Sequence, residues 1–133
     1  MTEANFEGPK CGITSYRDLH VWQGAMDLAE LCYRTSRKMS REELYGAVIQ
    51  IRRAAASIPA NIAEGNGREG RGEYIQFLRI AQGSLKELET HILLSQRVSL
   101  IDSRDAEPIL EKAAIVGKML RALIRSLQSK GKN

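Results

Sequence analysis

A chain of 133 residues, 43% hydrophobic and 27% charged, suits one domain with its own core. Three prolines and 5% aromatics argue against a many-turned β-sandwich and leave helices as the expectation. A net charge of +4 and a pI near 9.3 permit attraction to nucleic acid or another anionic surface without requiring it. Cys11 and Cys32 are too few for a disulfide framework or a metal knuckle. The polar start lacks the apolar core of a signal peptide, and no run is apolar enough to span a bilayer. A cytoplasmic protein is expected.

Residues 1–15 show no periodicity and read as a disordered lead. Asp18 is the expected N-cap of a first helix. Its stripe is Trp22, Ala25, Met26, Ala29, Tyr33 and Ser36, fading near Met39. Ser40 followed by Glu43 forms a capping box, so a second helix is expected from there. That helix carries Leu44, Ala47, Val48, Ile51, Ala55, Ile58 and Ile62 at core spacing. A third stripe runs through Tyr74, Phe77, Leu78, Ala81, Leu85, Leu88, Ile92 and Ser95. A fourth helix opens at Asp102 or Asp105 and carries Ala106, Ile109, Leu110, Ala113, Val116, Leu120, Leu123 and Leu127. Pro108 is comfortable only in a first turn, which favours the later start. Four long stripes with short connections predict an all-α, antiparallel up-down four-helix bundle over residues 16–128, with a frayed tail at 129–133.

Between the second and third stripes the sequence from Gly65 spells G-x-G-x-x-G. A dinucleotide fingerprint needs a strand before its glycines, and here a helical stripe precedes them. The fingerprint is therefore accidental. Gly65 is expected as a helix C-cap, with Asn66 and Gly67 left-handed and Gly72 capping the third helix. Arg68 and Arg71 flank that helix start, where free N–H groups favour anions, although a solvated charged loop is the simpler reading. His20 and His91 lie on different helices with no metal-binding spacing, and no nucleophile–base pair can be assembled. No enzyme, cofactor, metal or small-molecule substrate is expected.

Three helices carry apolar residues off their core stripes. These are Val21, Leu28 and Leu31; Ala56, Ala60 and Ala63; and Ile80, Leu94 and Val98. A bundle has one shared centre, so these second faces make a candidate oligomer interface. They lack a Lys/Arg border, which argues against a membrane surface. Gln50, Arg53, Ser57, Asn61 and Glu64 form a separate polar ribbon on the second helix, where Arg53 could pair with Glu64.

The stretches "DLHVWQGAMDLA", "YGAVIQIRRAAASIPANIAEGNGR" and "EYIQFLRIAQGSLKELE" resemble the 23S rRNA intervening-sequence protein family of bacteria. The resemblance covers roughly Tyr16 to Leu127. It implies a four-helix bundle that assembles as a ring-like homopentamer, without catalytic activity. It is also similar in fold to the accessory protein of diversity-generating retroelements, which works with RNA. The family's signature polar residues fall on Arg53, Asn61, Glu64, Gly65, Ser84 and Glu87. The resemblance places Ser84 and Glu87 on the third helix, where they could answer Arg53. The entry to the second helix, "KMSREELYGA", departs from the family's usual pattern. Two functions are therefore expected to compete. One is a homo-oligomer that binds RNA or DNA through phosphates, with Arg52, Arg68, Arg71, Arg79 and Lys86 as candidate contacts. The other is a protein-interaction scaffold with no nucleic-acid role.

Overall fold

The structure is a computed structural model that describes residues 15–131, without the side chains of Glu43 and Leu44. The expected lead at 1–14, including Cys11, lies outside it. Four α-helices make up the fold: α1 (His20–Ser36), α2 (Ile49–Asn66), α3 (Arg71–Arg97) and α4 (Ser103–Gly131). Among the described residues there is no strand. α1 packs on α2 and α4, and α3 packs on α2 and α4, closing a cycle around one core. Two contacts agree with the antiparallel order, one between the middles of α2 and α3 and one joining the segment just past α1 to the start of α4. Ser57 meets Ser84 across α2 and α3, and Lys38 reaches Asp105 across α1 and α4.

The core follows the predicted stripes of α2, α3 and α4 closely. Ile51, Ile58, Ile62, Leu78, Leu88, Ile92, Ile109 and Leu120 are almost completely buried. Ile124, outside the predicted stripe, joins them.

α1 is different. Its buried residues are Val21, Ala25, Leu28, Ala29, Cys32, Thr35 and Ser36. The core face is rotated by roughly 70° from the expected one, at 100° per residue. Met26 is 44% exposed and Tyr33 40% exposed, while Trp22 is half-buried. Both candidate faces of α1 are apolar, so period alone could not choose between them. The compact side chains Ala25, Leu28 and Cys32 take the tight centre, and the larger ones lie toward the rim.

Several helix ends differ from expectation. Ser15, not Asp18, supplies the first cap: its hydroxyl accepts from the Arg17 N–H of a 3-10 turn at Tyr16–Asp18. α1 then starts at His20 after Leu19, which has no capping side chain. Ser40 accepts from the Glu42 N–H, but α2 does not begin there. A 3-10 turn (Arg41–Glu43) and a wide turn (Leu44–Val48), kinked at Gly46, come first. The Glu43 half of the expected box and the core place of Leu44 lie outside the described side chains. α2 runs on through Pro59 to Asn66. Asp102, not Asp105, opens α4: its carboxylate and carbonyl accept the Asp105 N–H at 3.1 Å each. Pro108 therefore lies beyond the first turn and leaves one carbonyl of α4 without a helical donor. α4 continues to Gly131.

The glycine segment holds no left-handed residue: its backbone is right-handed at Gly67 and extended at Gly70. Gly67, at φ −79° and ψ −7°, is the C-cap of α2, and no described glycine has positive φ. Gly70, not Gly72, precedes α3. Gly65 is buried within the last turn of α2 rather than capping it. A Cβ there would lie 2.7 Å from the Phe77 Cβ and 3.2 Å from Tyr74 Cδ1. Its glycine serves close approach of α2 and α3, not backbone conformation.

Candidate functional site

The second apolar face exists, but on other residues of α1 and on the turn that precedes it. Val21 and Leu28, expected at an interface, are 5% and 0% exposed in the bundle's own core, and Leu31 packs against it. Their place is taken by Tyr16, Trp22, Met26 and Tyr33. These line an apolar groove of about 610 Å³ whose other wall is Ala56, Pro59, Ala60 and Ala63 of α2. The alanines keep that wall low, and the aromatic residues form the opposite one. Tyr16 and Trp22 stack edge to face with centroids 5.3 Å apart. Ile80 and Leu94 of α3 and Val98 at its C-cap are 47%, 54% and 56% exposed and lie on one side of the helix.

The polar ribbon separates into pieces. The Ser57 and Ser84 hydroxyls lie 2.8 Å apart, and the Asn61 amide donates to the Ser57 carbonyl and hydroxyl at 2.8 and 3.0 Å. This small cluster satisfies polar atoms where α2 meets α3. Gln50 is half-buried nearby in sequence. Arg53 is exposed and makes no ion pair among the described residues. It does not meet Glu64, which lies about 16 Å further along the same helix. Glu64 instead pairs with Arg68 at 3.1 Å, and Glu87 lies 3.8 Å from His91 Nε2.

The candidate phosphate contacts divide in the same way. Arg52 is committed to the end of α1: it donates to the Ser36 hydroxyl at 2.8 Å and the Tyr33 carbonyl at 3.3 Å. Its guanidinium also lies over the Tyr33 ring at 4.9 Å. The signal for this was present in the unsatisfied carbonyls that end every helix. Arg68 stacks over Phe77 at 4.9 Å besides pairing with Glu64, and Lys86 pairs with Glu89 at 3.1 Å. Arg71 and Arg79 are exposed.

Reactive chemistry is sparse. Cys32 has no exposed surface, and burial pushes its thiol up to about 12, so it stays neutral and poorly nucleophilic at physiological pH. Among the described residues no group of three or more His, Cys, Asp or Glu could hold a metal ion. None of the described helices is long and apolar enough to cross a membrane.

Four antiparallel helices around one core, with an apolar groove open along one side, define an all-α bundle built on packing. Residues 17–122 match the family described as 23S rRNA-intervening sequence protein, and the chain belongs to that family. Its fold is similar to a crystal structure from Bacteroides thetaiotaomicron, described as a protein of unknown function from the S23 ribosomal protein family. The two chains are 25% identical, with a TM-score of 0.74 over 79% of this chain and 95% of the other. No curated protein matches this chain.

Proposed function

We propose that this protein is a non-enzymatic, self-associating bundle whose assembly binds nucleic acid through a basic surface. The observation that carries self-association is the open groove between α1 and α2, walled by Trp22, Met26, Tyr33 and Ala60. An exposed apolar concavity of this kind marks an interaction site more often than a decorative surface. The resemblance to the family supplies the number five and a ring. Nucleic acid enters as partner from the net charge of +4 and the family's place in ribosomal genes.

Light scattering at micromolar concentration is expected to give a multiple of 14.8 kDa, fivefold by the family resemblance. Ala60→Glu should reduce it toward the monomer, because an unpaired carboxylate would be desolvated in the seam. A monomer mass for the unaltered chain overturns the proposal, and a dimer or tetramer overturns only the number. Gel shifts at low salt with ribosomal RNA fragments and duplex DNA test the partner. No shift at micromolar protein, with a specific protein captured instead, favours a scaffold with no nucleic-acid role.

A further inference from the structure

From Lys112 to the end of the chain there is no acidic residue. The same stretch holds Lys112, Lys118, Arg121, Arg125 and Lys130, all exposed. None of these five makes an ion pair among the described residues. At 100° per residue, Lys118, Arg121 and Arg125 fall within about 60° of one another on the outward side of α4, and they span about 10 Å of its length. About 130° round the helix from their centre, Val116, Leu120 and Ile124 are buried in the core. The packed bundle thus holds the three charges on a rigid rail.

The neighbouring helix extends this surface. Leu85 of α3 meets α4 at Gly117, where an added Cβ would lie 3.3 Å from its side chain. Arg79 and Lys86 lie within about 20° of each other, about 110° round α3 from Leu85. The acidic side chain there, Glu89, is taken up by Lys86. By contrast, Arg52 and Arg68 are engaged by α1, Glu64 and Phe77. Arg53, Arg71 and Arg79 are likewise exposed and without an ion pair among the described residues, but the C-terminal half of α4 is where three such charges gather on one helical face.

We propose that the outward face of the C-terminal half of α4, centred on Lys118, Arg121 and Arg125, holds the phosphodiester backbone of a double-helical nucleic acid. This rests on the nucleic-acid half of the function proposed above. Three features select this occupant. The stretch from Lys112 onward contains no aromatic residue, so it offers no platform on which single-stranded bases could stack. A protein partner would need an apolar anchor, and the one large exposed apolar side chain described on α4, Ile115, lies toward α1. Lysines and arginines alone fix a backbone without reading its sequence.

The test uses the full chain and fluorescence anisotropy with a labelled RNA duplex, a DNA duplex of the same sequence, and a single strand. The triple variant Lys118→Gln/Arg121→Gln/Arg125→Gln should bind both duplexes at least about tenfold more weakly near 0.1 M salt. The slope of log affinity against log salt should flatten by about 2–3, one contact for each charge removed. Arg68→Ala/Arg71→Ala should change both readouts much less. The charge-keeping variant Lys118→Arg/Arg121→Lys/Arg125→Lys should bind like the unaltered chain, and melting and light scattering should be the same for all. If the triple Gln variant binds duplexes with unchanged affinity and slope, the α4 site is overturned while nucleic-acid binding stands. If the unaltered chain binds no nucleic acid, both fall. Preference for the single strand overturns the double-helical assignment. Binding to the RNA duplex alone supports the site and names A-form geometry as its target.

Discussion

Ser99 is the one described non-glycine residue with positive φ, at 69°. It stands just past α3 where the chain reverses. The Leu100 N–H donates to the Ser95 carbonyl at 2.8 Å and the Ser99 N–H to the Gln96 carbonyl at 3.1 Å. This paired closure wants glycine at its left-handed position. An L-residue there costs roughly 1–2 kcal/mol, and glycine's extra unfolded-state entropy returns roughly half of that. Ser99→Gly is therefore expected to stabilise by about 0.5–1 kcal/mol, a rise of a few degrees in Tm. Ser99→Val should lower Tm. Thermal melts of the pair decide it, and a lower Tm for Ser99→Gly would show that residue 99 is not left-handed. The sequence concealed this position because its glycines drew the left-handed expectation to Asn66 and Gly67, which adopt right-handed backbone.

At the scale of helices, three of four core faces were legible because each of those helices has one dominant apolar stripe. α1 was not, since its Trp22–Met26–Tyr33 face competes with Val21–Leu28–Cys32, and only the shape of its neighbours decides. Helix ends were less legible, because a Ser or Asp can cap a 3-10 turn as well as an α-helix. Gly65 shows what sequence leaves hidden: its role depends on α3 lying close against it. An alanine there would gain up to about 1 kcal/mol in helix propensity. Against that gain, its Cβ meets the Phe77 Cβ at 2.7 Å, an atom fixed to the α3 backbone that cannot swing aside. Overpacking of this kind costs roughly 1–3 kcal/mol, so the clash wins. Gly65→Ala is expected to destabilise by about 1–2 kcal/mol in denaturant titration. Gly83→Ala is the control: nothing lies within 4 Å of its added Cβ, and it should stabilise by up to about 1 kcal/mol. If both changes stabilise, α2 and α3 do not approach as closely as Gly65 implies.

For the whole molecule, the surfaces left open matter more than the core. The α2 wall of the groove was legible in the alanines at 56, 60 and 63, whereas the α1 wall required knowing which way α1 turns. Once placed, that wall supplies a reporter, because Trp22 is the chain's only tryptophan and is half-buried at the groove. If copies of the chain meet along this groove, assembly removes water from the indole, and its emission shifts to the blue. Dilution through the dissociation range should then move the emission to the red and raise acrylamide quenching, in step with the fall in scattering mass. Ala60→Glu, on the facing wall, should give the red-shifted emission at every concentration without changing helix content. Arg125→Gln, on α4, should leave the emission of the assembled protein unchanged, because α4 packs on α1 and α3 rather than across the groove. Mass that falls on dilution while Trp22 emission stays fixed would move the seam off α1 and α2, leaving the exposed face of Ile80, Leu94 and Val98 on α3 as the surface to alter next.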